Sequence, residues 1–178
     1  MPEASDKVIE RAQLAQREHR LAEARQDWLA AIELLRRQDA REPLADALRA
    51  LAEVDRKLRD GDRARAHYEE SVAILRNCPD RLKLAHTVRH LGDVHHDAGR
   101  ADLAAPCYDE ALALYRDHPD PPPLDLANAI RSAAVHKQEA GAREQAIALW
   151  SEARELYVAV QVEAGVKEST ARLAKLGV

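Results

Sequence analysis

Apolar and small residues recur at i, i+4, i+7, i+8 and i+11 through Leu84, Val88, Leu91, Gly92 and His95, one stripe of a 3.6-residue period. Asp97-Ala98-Gly99-Arg100 interrupts that stripe. A second stripe then runs through Ala101, Ala104, Ala105, Tyr108, Ala111, Leu112 and Tyr115, so the stretch reads as two amphipathic helices joined by a tight turn. The same arrangement predicts helix pairs at about 7–21 and 22–37, 43–59 and 62–77, 81–98 and 101–116, and 124–140 and 142–160, with turns near His19, Gly61, Gly99 and Gly141. Prolines punctuate the joins between pairs, at Pro43, Pro79, Pro119 and the run Pro121-Pro122-Pro123. Proline suits a first helical turn or the residues beyond a helix end, and not a helix interior. After a turn at Gly165, Ala171, Leu173, Ala174 and Leu176 mark a final amphipathic helix, about 166–176, that would cap the last pair.

The pattern has a long period. Trp28, Tyr68, Tyr108 and Trp150 follow one another at steps of 40, 40 and 42 residues. Ala24, Ala64, Ala104 and Ala146 precede these rings by four positions, while Ala31, Ser71, Ala111 and Ala153 follow by three. Self-similarity at such a spacing marks repeat architectures, in which a unit buries its apolar face only by stacking on neighbours. The repeats span about 5–40, 41–80, 81–122 and 123–162, and the whole of 1–178 is expected to form a single domain. The fold class is all-α.

Composition agrees with this reading and narrows the function. Apolar residues make up 46% of the chain but aromatic residues only 3%, so the core is built largely from Ala, Leu and Val, and 33% charged residues supply solvated faces. A net charge of −4 offers no general attraction to nucleic acid or an acidic membrane surface, and neither is expected as a partner. The N-terminal MPEASDKVIERAQ lacks an apolar stretch of signal-peptide length, and a cytoplasmic location is expected. Cys78 and Cys107 are expected as thiols in a reducing compartment.

Leu91-Gly92, Ala104-x-x-x-Tyr108 and Ala111 resemble the tetratricopeptide signature, as do Leu51-Ala52, Ala64, Tyr68 and Ser71, and Ala133-Ala134, Ala146, Trp150 and Ala153. Ala12, Ala24, Trp28 and Ala31 form a weaker first copy. Val88 stands where the signature has its leading Trp, and His95 where it has its middle Tyr. The long period is similar to the kinesin-light-chain-like branch of the family. That resemblance implies a right-handed superhelical solenoid of four antiparallel helix pairs, binding proteins or peptides in a concave groove without a cofactor.

In such a stack the first helix of each pair lines the groove. The candidate partner-contacting residues are Arg49, Glu53 and Arg56 in the second repeat, His86, Arg89, Asp93 and His96 in the third, and Arg131 and Gln138 in the fourth. Arg49, Arg89 and Arg131 share one register and form a ladder suited to bidentate capture of carboxylates from an acidic segment. Arg49 with Glu53, and Arg89 with Asp93, also make i, i+4 pairs that could neutralise each other. Glu53 and Asp93 differ from the Lys and Asn lining of chaperone-tail grooves.

His86 and His90 have the spacing of two ligands on one metal, with Asp93, Asp97 and His136 nearby, but the adjacent arginines repel a cation and no HExxH glutamate intervenes. Ser5, Ser71, Ser132, Ser151 and Ser169 have no strained elbow around them, and glycine-rich phosphate loops are absent. No cofactor, metal or catalysis is expected. The function read from the sequence is a protein- or peptide-binding adaptor, with self-assembly into a homo-oligomeric scaffold and a histidine-dependent metalloenzyme as the alternatives.

Overall fold

The computed structural model describes residues 2–178. Among them are nine helices and no strand: α1 (Pro2–Arg17), α2 (Leu21–Arg37), α3 (Arg41–Lys57), α4 (Gly61–Leu75), α5 (Arg81–Asp97), α6 (Ala101–Asp117), α7 (Pro123–Glu139), α8 (Arg143–Ala159) and α9 (Glu163–Lys175). They fall into two compact units, Met1–Asp80 with α1 to α4 and Arg81–Val178 with α5 to α9. Within each unit every helix packs on its successor, and α5 also packs on α7.

The first helix begins earlier and stops earlier than its apolar pattern suggests. Pro2 occupies the first helical position, where a missing N–H costs nothing, and His19 enters the left-handed region at φ 58° just past the end. Left-handed residues also close five further turns: Asp39 (φ 50°), Arg59 (φ 65°), Gly99 (φ 70°), Gly141 (φ 76°) and Gln161 (φ 58°). The next amide reaches back five residues at each, as in Arg20 N–H to the Ala15 carbonyl (2.8 Å) and Arg100 N–H to the His95 carbonyl (2.9 Å). These are Schellman closures, and they set the ends of the helices. Between α3 and α4 Arg59 takes the left-handed role, while Gly61 opens α4 behind Asp60, whose Oδ1 accepts the Arg63 amide at 3.3 Å.

Pro106 is an exception to the punctuation rule, because it lies inside α6. Its ring points to solvent, so the Asp102 carbonyl that loses its intrahelical partner stays within reach of water.

The recurring rings are core residues. Trp28, Tyr68, Tyr108 and Trp150 are at most 4% exposed, and the alanines four positions ahead of them are fully buried. In the first unit Trp28 packs with Ala12, Ala15, Ile32, Leu35, Leu48, Leu51 and Val54. In the second, Tyr108 shares a cluster with Leu112, Ala127, Ile130 and Tyr157, while Trp150 meets Ala134, Ala146 and Leu173. Gly92 is small because a Cβ there would stand 2.8 Å from the Tyr108 ring. Ser71, the single hydroxyl among the small residues three positions past each ring, donates to the Ala45 carbonyl at 2.8 Å and is thereby tolerated in the core.

The final helix starts before Gly165. That glycine lies within α9, where a Cβ would come 2.4 Å from the Tyr157 ring. Ser169 and Leu173 complete its buried face. Neither Cys78 nor Cys107 forms a disulfide.

Candidate ligand-binding face

Within each unit the leading helices carry polar side chains that bond across to one another, α1 to α3 in the first and α5 to α7 and α7 to α9 in the second. In the first unit, Arg49 Nη1 donates to Glu53 Oε1 at 3.3 Å within α3, and Asp46 lies 4.0 Å from the same guanidinium. Glu53 Oε2 also accepts from Gln16 Nε2 of α1 at 3.3 Å, and Gln16 Oε1 accepts the Trp28 indole N–H at 3.0 Å. A chain of bonds thus runs from a core ring to the half-exposed pair of Arg49 and Glu53. Arg56 is half-buried one turn further along α3.

Beneath that face lies a charged cluster with no counterpart among the expected site residues. Asp55 is wholly buried, 3.0 Å from Arg25 Nε and 2.9 Å from His67 Nδ1, so it ties α3 to α2 and α4. Burial raises its carboxyl above the ordinary range, and the Arg25 and His67 charges only partly oppose this.

In the second unit Asp93 is a hub. Its Oδ1 accepts from Tyr108 Oη at 3.2 Å and Ser132 Oγ at 3.3 Å, while Oδ2 accepts from Arg89 Nη1 at 3.2 Å. Arg89 is only 9% exposed, and its Nη2 donates to His90 Nε2 at 2.8 Å. A guanidinium cannot accept, so that His90 nitrogen is the acceptor and the imidazole proton sits on Nδ1, 3.3 Å from Asp93 Oδ2. His86 meets His90 edge to face, with ring centroids 4.7 Å apart. The engaged Nε2 and the adjoining guanidinium both work against a cation on this histidine pair.

Further contacts cross the same face. His96 Nε2 lies 2.6 Å from Glu139 Oε2, joining α5 to α7. Arg131 of α7 forks onto Glu168 of α9, with Nε 2.6 Å from Oε2 and Nη2 3.0 Å from Oε1. That bond holds the guanidinium firmly in its charged form, against the opposing effect of burial. Arg172 approaches the same carboxylate at 3.8 Å and lies over the Trp150 ring, 5.6 Å from its centroid. Gln138 is turned inward, its Oε1 accepting the Trp150 indole N–H at 3.0 Å.

The expected residues therefore divide by role. Arg49, Glu53, Arg131 and His96 keep partly exposed polar groups on these faces, whereas Arg89, Asp93 and Gln138 are engaged with the core rings or their surroundings. Gln16 and Glu168 are the additions that sequence reasoning omitted. Gln16 was marked by its offset, since it stands twelve residues before Trp28 as Gln138 does before Trp150. Glu168 had no such sign.

Helix pairs in sequence, with small residues packed on recurring rings and a polar face on the leading helices, define a helical-repeat fold. Residues 43–117 match the model of the tetratricopeptide repeat family. No protein of curated function matches the sequence. Among solved structures, BtubC (BKLC) from P. vanneervenii is 21% identical with a TM-score of 0.80, covering 89% of this chain and 65% of its own. Aspartyl phosphate phosphatase F from Bacillus subtilis is 12% identical with a TM-score of 0.84, covering 94% and 44% respectively. A Rap protein complexed with competence and sporulation factor is 11% identical with a TM-score of 0.80, covering 94% and 46%. These likenesses show the fold, and the chain spans less than two thirds of each of those proteins. Among the described residues no helix is long and apolar enough to cross a membrane.

Proposed function

We propose that the chain is a non-catalytic cytoplasmic adaptor that holds a protein or peptide segment on the polar faces of its leading helices, with an acidic segment as the best-suited ligand. The observation that carries this reading is the half-exposed state of two arginine–carboxylate pairs outside the core. Arg49 with Glu53 have side chains 29% and 30% exposed, and Arg131 with Glu168 are 42% and 29% exposed. Exposed ion pairs contribute only about 0–1 kcal/mol. A guanidinium can therefore exchange one carboxylate for another with little effect on the fold, and a charge-assisted bond to a ligand contributes about 1.5–3 kcal/mol. The fold shared with a Rap protein that was crystallised with competence and sporulation factor supports the same class of function.

Arg89 is left out of the ligand set because its guanidinium is buried against Asp93 and His90. The test is fluorescence anisotropy with a labelled Glu- and Asp-rich peptide and the double variant Arg49→Gln/Arg131→Gln. Saturable binding that weakens with salt and drops about tenfold or more in the variant is the expected result. Equal isotherms for the two proteins would remove the arginines from the reading. Absence of binding to any acidic peptide would remove the acidic ligand itself.

A further inference from the structure

The pair of Arg131 and Glu168 differs from the pair of Arg49 and Glu53. Arg49 and Glu53 are four residues apart on one helix and share a single hydrogen bond. Arg131 and Glu168 are 37 residues apart, on different helices, and bond through two parallel N–H···O contacts. Bidentate geometry of this kind is how arginine recognises a carboxylate ligand.

The carboxylate is presented by a well-anchored element. Gly165 lets α9 lie directly on the Tyr157 ring, Ser169 and Leu173 are buried, and Leu173 joins the Trp150 cluster. Arg143 also donates to the Leu176 carbonyl at the far end of the helix. These contacts hold α9 without help from Glu168. The second guanidinium is likewise placed independently, since Arg172 rests over the Trp150 ring. With Glu168 turned aside, Arg131 and Arg172 would converge on one vacated carboxylate position, where the Asp93 charge that also acts on Arg131 is already engaged by Arg89, Tyr108 and Ser132.

We infer that Arg131 and Arg172 form a carboxylate-binding site in which Glu168 is a built-in stand-in for the ligand, so that an acidic side chain of a bound peptide enters by displacing it. This rests on the adaptor reading above and adds to it a specificity and a brake. A neutral peptide cannot compete with Glu168 for the fork, and an acidic one binds more weakly than two free arginines would allow. Glu168 acts on binding as an internal competitor, lowering apparent affinity by the fraction of time it occupies the site.

The experiment compares the wild type with Glu168→Gln, which keeps the side chain's size, using the same labelled acidic peptide. The variant should bind about tenfold more tightly, and Arg131→Gln/Glu168→Gln should lose that gain. Circular dichroism and thermal melting verify that α9 stays folded, and Glu168→Ala serves as a second variant with the same expected gain. Equal affinity for wild type and both Glu168 variants would overturn the stand-in while leaving the adaptor reading intact. A gain that survives the loss of Arg131 would place the ligand elsewhere and overturn the site. No binding by any of the proteins would overturn both.

Discussion

Gln138 accepts the indole N–H of Trp150 at 3.0 Å, and Gln16 does the same for Trp28 at the same distance and offset. An indole nitrogen can only donate, and when its ring is buried the donor requires an acceptor from a neighbouring helix. Where the repeat ring is Tyr, the position twelve residues ahead is Arg56 or His96 instead. The choice of side chain there follows the ring. Replacing Gln138 by Ala should therefore cost about 1–3 kcal/mol in urea unfolding, the penalty for a buried donor left unsatisfied. A loss below about 0.5 kcal/mol would show that water takes over the bond.

Tyr108 combines packing with a polar tether. Its ring lies against Gly92 and its hydroxyl donates to Asp93. Tyr108→Ala should cost about 3–5 kcal/mol, as for other large buried rings. Tyr108→Phe, which keeps the ring and removes the bond, should cost about 1 kcal/mol. Equal losses for the two variants would mean that the hydroxyl, and not the ring, holds the position.

Two glycines should respond in opposite ways to alanine. A Cβ at Gly165 would stand 2.4 Å from the Tyr157 ring, so Gly165→Ala should destabilise the second unit by about 1–3 kcal/mol as α9 is pushed off. At Gly61 nothing lies within 4 Å, and the residue opens α4. Gly61→Ala should therefore stabilise by about 0.4–1 kcal/mol through the unfolded chain. Thermal unfolding of both variants checks the pair, and a stabilising Gly165→Ala would contradict the close packing of α9.

The architecture was legible because it is local and repeated. The stripe through Leu84, Val88, Leu91 and Gly92, and the recurrence of Trp28, Tyr68, Tyr108 and Trp150, depend on offsets that can be read along the chain. The division of labour among the site residues was not. Arg89 shares a register with Arg49 and Arg131, yet Tyr108 and Ser132 bring Asp93 into a buried network that draws Arg89 inward. Asp55 depends on Arg25 and His67 from other helices, and Glu168 on Arg131 across a gap of 37 residues. Pairings that distant leave no periodic trace. Pro106 departs from the rule against interior proline on an exposed face of α6, where water can reach the carbonyl its missing N–H leaves unpaired.

Asp55 gives a pH dependence with a definite sign. Its carboxyl is raised above 3.8 in the folded chain, first by burial, so the native state holds its proton more tightly than the unfolded state does. As pH rises from the unfolded value through the raised folded one, this group's contribution to stability falls. Other carboxylates alter the total curve, so the measurement is a difference. The stability of Asp55→Asn minus that of the wild type should shift in favour of the variant as pH rises across the acidic range. A shift toward the wild type would mean that Arg25 and His67 outweigh burial.

The most direct measurement of where this chain binds is hydrogen–deuterium exchange, or amide chemical-shift mapping, during titration with an acidic peptide. The expected result is protection and shifts confined to α3 around Arg49 and Glu53 and to α7 and α9 around Arg131 and Glu168. Changes centred instead on the second helices of the pairs, near Arg36 with Glu70 or Arg116 with Glu152, would contradict the assignment of the binding face.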